Sequence, residues 1–284
     1  MSSRLRLRRL VIPAGVLFFI LLFVLPVLWM ALASLMTKEE VTSRPQVYLP
    51  AAPQLTNYLS FFKQGVVGNE ATIDIAFGLR NSLVVAIVVT LLNLVFGSMA
   101  GYSLARTRTV GSHALLLFYL VTRMLPTVSL MIPLYVTFRT LGLLDTQLGL
   151  IIAYMPYTLP FTIWMLTSYF RLIPSELDQA ALVDGCNRFT ALVRVILPVS
   201  TPALISAGIF AFVSAWSEFL LAVILTRSTD AATITVAAAN FGNNIFINYN
   251  LLAAAGILAL VPPVVLSLVF QRYITSGLAA GAVQ

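Results

Sequence analysis

Between Arg9 and Lys38 the chain carries no charged residue, and the same holds from Asn81 to Ala105 and from Thr146 to Phe170. A helix rises about 1.5 Å per residue, so roughly 20 such residues cross the hydrocarbon core of a bilayer. Runs of this length, repeated along one chain, leave few folds available in water. Composition closes the argument. Hydrophobic residues make up 60% of the 284, charged residues only 10%, and the mean hydropathy is +0.96. Soluble domains carry about 25% charged residues, so both a water-soluble fold and a disordered chain are excluded. The net charge of +7 is divided between apolar runs, which makes it a topological signal rather than a nucleic-acid-binding patch. One cysteine, Cys186, and one histidine, His113, leave no disulfide framework and no zinc site.

The gaps between charges predict an all-α integral membrane protein, a single domain over 1–284 with six spans. These are 10–36, 81–105, 114–138 (interrupted by Arg123), 146–170, 197–226 (interrupted by Glu218) and 251–271. The first run is nearly twice the length of a signal-peptide core and is expected to remain as an uncleaved anchor, despite Arg4, Arg6, Arg8 and Arg9 before it. Residues 240–250, rich in asparagine, read as a loop, and Tyr58–Phe62 as a short helix lying on the membrane. Arg4, Arg6, Arg8, Arg9, Arg106, Arg108, Arg171, Arg188, Arg194 and Arg272 fall on one side. Lys38, Arg44, Lys63, Arg80, Arg139 and Arg227 fall on the other. The richer side is cytoplasmic by the positive-inside rule, so both termini are expected there. No internal repeat relates the halves of the chain, which argues against an inverted-repeat carrier.

Between the fourth and fifth spans lies a loop, 174–198, with its own local order. Pro174 stops the preceding helix. Ser175 is placed to cap a new one, with Asp178 in capping-box position. Leu177, Ala180, Ala181 and Leu182 form an apolar stripe, and Asp184-Gly185 ends the helix because glycine enters the left-handed region without penalty. A second helix, Arg188 to Ile196, leads into Leu197-Pro198. Geometry alone leaves two readings: a helix-turn-helix that docks in a groove, or an amphipathic loop on the bilayer surface.

The fuller pattern selects between them. Ala180-Ala181-Leu182-Val183-Asp184-Gly185, then Val195-Ile196-Leu197-Pro198 and Pro202, resembles the EAA loop of ABC importer permeases, with Gln179 where glutamate is usual and Cys186 where alanine is common. Met124-Leu125-Pro126, Gly142-Leu143-Leu144-Asp145-Thr146, Trp216-Ser217-Glu218-Phe219 and Ala253-Ala254 followed by Pro262 resemble the carbohydrate-uptake members of that family. The tail from Gln271 to Val283 does so too. The resemblance implies a type I importer permease fold in a prokaryotic plasma membrane. It implies a sugar, a di- or oligosaccharide, as substrate, and a second permease subunit, two ATP-binding ATPase subunits and an extracytoplasmic sugar-binding protein as partners. ATP and magnesium would be held by the ATPase. The chain has no G-x-x-x-x-G-K-[ST] loop, and Lys38 and Lys63, its only lysines, both fall outside, so no ATP chemistry is expected of it. Coupling to the ATPase falls, by resemblance, to Ser175, Glu176, Asp178, Gln179, Ala180, Ala181, Asp184, Gly185, Leu197 and Pro198.

Arg123 at mid-depth and Glu218 nearer the outer face are intramembrane charges, which pair with each other or a partner, or line a path. Met124 and Trp216 stand beside them as candidates for the sugar path. Tyr154, Tyr157 and Trp164 are further aromatics able to stack on sugar rings. Asn240, Phe241, Asn243 and Asn244 are, by resemblance, candidates to contact the binding protein. The competing classes are a permease for glycerol phosphate or a polyol, and an ATP-independent carrier or channel. A membrane enzyme is disfavoured, because there is neither an H-E-x-x-H motif nor an intramembrane carboxylate pair.

Overall fold

The computed structural model describes residues 2–62, 70–107, 114, 117, 118, 121, 124, 126–242 and 248–281. Among them all regular structure is helical: α1 (Ser2–Ala33), α2 (Lys38–Thr42), α3 (Thr56–Leu59), α4 (Glu70–Arg106), α5 (Thr127–Thr140), α6 (Gln147–Leu172) and α7 (Glu176–Val183). There follow α8 (Arg188–Ala191), a π-helical turn (Leu192–Ile196), α9 (Leu197–Val199), α10 (Thr201–Trp216), α11 (Leu220–Leu225), α12 (Ile234–Gly242) and α13 (Tyr249–Gly281). By length and composition, Gly15–Ala33, Asp74–Arg106, Gln147–Leu172 and Tyr249–Tyr273 can cross a membrane. A fifth is added if Arg188–Val199 and Thr201–Trp216, bent by 86°, count as one broken span.

The chain packs as two compact units. The first comprises Met1–Ile75 and Ala238–Leu260. Its α1 leaves Phe18 and Phe23 exposed, as a lipid-facing helix would. Below α1, buried Asn57 donates to the carbonyls of Ser34 (2.8 Å) and Met36 (2.9 Å) and accepts from Asn250 Nδ2 at 3.2 Å. The expected surface helix at Tyr58–Phe62 is therefore one turn, Thr56–Leu59, pinned to the end of α1, with Phe61 buried. The α2 helix, closed by a Thr37–Glu40 capping box, was not expected.

The second unit comprises Ala76–Ala237 and Val261–Gln284. In lipid there is no hydrophobic drive between helices, so close packing and buried polar pairs must hold them together. Gly97 and Gly101 on α4 provide the close approach. A Cβ on Gly97 would lie 2.6 Å from Thr162 Cγ2, and one on Gly101 3.1 Å from the Thr167 nitrogen. Beside them Asn93 donates to Thr158 Oγ1 at 2.8 Å and accepts from Thr162 Oγ1 at 3.3 Å. Nearer the other end, Asn81 donates to the carbonyls of Thr229 and Ala232 and accepts from Gln147 Nε2 at 2.8 Å. At the α7 end of the unit, Tyr102, Leu166, Phe170, Leu192, Ile196 and Ala207 close the core.

Several expected boundaries are corrected. The helix of the second span starts at Glu70, ahead of the expected Asn81, because the chain stays helical through Asp74 and Arg80 beyond the apolar run. Within the expected third span the described residues 114, 117, 118 and 121 are helical, Met124 is in a turn, and a helix runs over Thr127–Thr140 with Pro126 as its N-cap. The fifth span is not continuous. Pro202 cannot donate to the Pro198 carbonyl, which instead accepts from Thr201 Oγ1 at 2.7 Å, and the chain bends there. It breaks again at 217–219, between α10 and α11. The expected loop over 240–250 begins inside a helix, since α12 includes Asn240 and Phe241. Finally, α13 runs through the expected tail to Gly281.

Candidate functional site

The segment 174–198 is a helical hairpin whose parts have distinct local causes. Pro174 follows the end of α6 at Ile173. Ser175 occupies the N-cap position of α7 but makes no side-chain capping bond, so the expected capping box with Asp178 does not form. Asp178 is drawn elsewhere. Its Oδ1 accepts a 2.5 Å hydrogen bond from the Tyr102 hydroxyl, and its Oδ2 lies 2.7 Å from Arg106 Nε, with both charged side chains largely buried. The Arg106 contact is an ion pair without hydrogen-bond alignment, and Tyr102 supplies the aligned bond. Removing one member of such a pair leaves an uncompensated buried charge, which typically costs about 3–5 kcal/mol.

The C-terminus of α7 closes as a Schellman motif. Gly185 has φ +86°, Gly185 N donates to the Leu182 carbonyl, and Cys186 N donates to that of Ala181. Asn187 then caps α8, its Oδ1 accepting from Thr190 N at 2.8 Å. The π turn over Leu192–Ile196 and the bend at Ser200 carry the chain into α10.

Adjacent residues on a helix point about 100° apart, and this divides the expected small-residue stripe. Ala181 is buried with Asp178 toward the bundle, whereas Ala180 faces out. The outward surface carries Glu176, Gln179 and Asp184 with Leu177, Leu182 and Val183, and Val183 is 87% exposed. Phe189 on α8 extends it. Leu197 is half-buried and Pro198 exposed. This hairpin therefore has one face tied into the helices and one apolar, weakly acidic face open.

The residues proposed for a sugar path do not gather in the same way. Trp216 is buried (3% exposed) and stacked on Phe212, with ring centroids 5.6 Å apart. Glu218 serves local structure: its carboxylate accepts from Leu221 N at 2.9 Å at the start of α11, and its carbonyl accepts from Thr235 Oγ1 at 3.0 Å. Tyr154 is fully buried, while Trp164 reaches the surface beside Phe161. Tyr157 borders a groove of about 510 Å³ whose other walls include Leu130, Leu134, Ile152 and Pro156, an apolar surface with little to offer a hydroxyl-rich ligand. Met124 is exposed. Arg123, Asn243 and Asn244 lie outside the described residues, and Asn240 is exposed in the last turns of α12.

One polar constellation escaped the sequence reading. Asp145, at φ 59°, sits before α6 with its backbone N–H donating to the Leu225 carbonyl at 2.7 Å. Its carboxylate accepts from the backbone N–H of Arg227 (2.8 Å) and Ser228 (3.0 Å). The Arg227 guanidinium in turn hydrogen-bonds the Tyr135 hydroxyl and lies over that ring. Burial pushes the Asp145 carboxyl up, but the two backbone N–H groups, together with the Ser228 hydroxyl and the Arg227 charge, outweigh it and hold its pKa below the ordinary value. The sequence signal was an aspartate one residue before the helix-capping Thr146.

Comparison with known proteins gives a consistent family pattern. Residues 93–279 match the family described as binding-protein-dependent transport system inner membrane component. The trehalose/maltose transport system permease protein MalG of Thermococcus litoralis is 33% identical, over 98% of both chains. The trehalose transport system permease protein SugB of Mycobacterium tuberculosis is 36% identical over 92% of each. The sulfoquinovosyl glycerol transport system permease protein SmoH of Agrobacterium fabrum is 34% identical over 91% of this chain and 88% of its own. Among solved structures, a bacterial ABC transporter involved in import of the polysaccharide alginate superposes with a TM-score of 0.80. It is 21% identical, over 96% of this chain and 98% of that one, and shares the fold.

Proposed function

Because the chain belongs to the family of binding-protein-dependent transport system inner membrane components, we propose that it is the permease subunit of an ATP-driven importer of a sugar, a di- or oligosaccharide. It works beside a second permease subunit, two ATP-binding subunits that hold ATP and magnesium, and an extracytoplasmic sugar-binding protein. It lies in a prokaryotic inner membrane with both termini in the cytoplasm, as the distribution of arginines favours. The observation that carries the coupling part of this reading is the two-faced α7. Asp178 and Ala181 face the bundle, while Leu177, Leu182 and Val183 stay open outside the membrane-spanning segments. An exposed apolar face on so short a helix is suited to burial in a partner's groove.

In this reading the ATPase pair grips α7 and its closure moves the hairpin. The motion passes through Gly185, α8 and Leu197-Pro198 into α10, opening the translocation path toward the loaded binding protein. Uptake of labelled trehalose and maltose by vesicles containing the reconstituted complex tests the proposal. Uptake is expected to need both ATP and the binding protein and to stop with vanadate. ATP-independent uptake by this chain alone would contradict it.

A further inference from the structure

The α7 helix is joined to the rest of its unit by two routes. One is covalent, through Gly185, α8, the π turn and α9 into α10. That route contains a left-handed glycine, a π-helical turn and an 86° bend, each a place where an applied rotation can be absorbed. The other route is Asp178, held by Tyr102 and Arg106 at the end of α4. In contrast to the first route, α4 is unbroken from Glu70 to Arg106 and is packed on α6 through Gly97, Gly101 and the Asn93–Thr158–Thr162 hydrogen bonds.

We infer that Tyr102, Arg106 and Asp178 form a second, non-covalent joint that makes α7 and α4 move as one body, with Asp178 a positioning residue of the transport cycle. This rests on the reading of α7 as the helix gripped by the ATPase. Three features support it. The joint spans 76 residues of sequence and connects the start of α7 to the last two turns of α4. It is buried, so salt screens it little. Both carboxylate oxygens are engaged by different side chains of α4, which fixes the rotation of α7 as well as its position.

The test uses the complete complex in liposomes and reads substrate taken up per ATP hydrolysed with loaded binding protein. Asp178→Asn and Arg106→Gln are expected to lower this ratio about fivefold or more, the size of an ordinary coupling energy. Tyr102→Phe, which keeps the ring and loses one hydrogen bond, is expected to lower it about threefold. The exchanged pair Arg106→Asp with Asp178→Arg should recover most of the ratio. A role confined to folding would reduce the amount of assembled complex and leave the ratio unchanged, and an unchanged ratio in Tyr102→Phe or Asp178→Asn complexes overturns the inference. Spin labels at positions 107 and 179 of the purified chain, with Cys186→Ser, decide the joint separately from the transport reading. A narrow distance distribution that broadens in Asp178→Asn supports it, and equal widths refute it, whether or not the wild-type complex hydrolyses ATP.

Discussion

The two ends of α6 are each tied to neighbouring elements by an aspartate, and the two ties are built differently. Past its C-terminal end, Asp178 meets the side chains of Tyr102 and Arg106 in a largely buried setting. Before its N-terminal end, Asp145 accepts from two backbone N–H groups in a more exposed turn. A buried charge pair fails when either charge is lost, because the survivor is left without a counter-charge and largely cut off from water. A carboxylate on backbone donors can be replaced by a neutral oxygen of the right shape with loss of only the charge-dependent part of its bonds. The first is a joint that needs both of its charges, and the second a latch that charge strengthens but that an acceptor of the right shape can still hold.

The largest effect is expected from Arg106→Ala. It should destabilise the α7 end by about 3–5 kcal/mol, seen as faster amide exchange over 176–183 with exchange at Asp145 and Ser228 unchanged. Asp145→Ala follows. Loss of charge-assisted bonds should cost about 1.5–3 kcal/mol, and exchange should then rise at 227–228 and spare α7. Gly185→Ala forces a Cβ into the left-handed region at about 1–2 kcal/mol, and uptake should fall more than total stability does. The smallest change is expected for Asp145→Asn, which keeps the acceptor oxygen and tolerates positive φ, at under about 1 kcal/mol. A loss as large as that of alanine would show that the latch holds by charge alone. The pH dependence separates the same alternatives. The folded pKa of Asp145 is depressed, so the charge-dependent part of its contribution is complete at neutral pH and is lost as the pH falls through the ordinary aspartate range toward the depressed value. With intrinsic exchange divided out, the protection of the Ser228 amide should therefore fall in acid in the wild type and be independent of pH, at a lower level, in Asp145→Asn.

Most of what charge gaps and helix-stop residues can encode was readable in advance. The Gln147–Leu172 helix lies within two residues of its expected bounds, and Gly185 has the positive φ that its position after Asp184 implied. The family followed from the ordered motifs around that loop. What was missed depends on partners distant in sequence. Asp178 looked like a capping residue because its neighbour Ser175 is local, whereas Tyr102 and Arg106 lie in another helix. The breaks at Ser200 and 217–219 were hidden because Ala, Ile and Phe continue on both sides, and hydropathy does not register a carbonyl taken up by Thr201, Thr235 or an amide capped by Glu218. The asparagines near residue 240 suggested a loop, yet Ile234–Ala239 carried α12 through the first of them.

The central claim is that the open face of α7 belongs to a separate cytosolic ATPase while the other face belongs to the bundle. Photocrosslinking in native membranes from probes at Val183, on the open face, and at Ala181, on the buried one, tests it most directly. Val183 is predicted to capture an ATP-binding subunit and Ala181 to react only within this chain. Crosslinks from Val183 confined to lipid or to this chain would contradict the account.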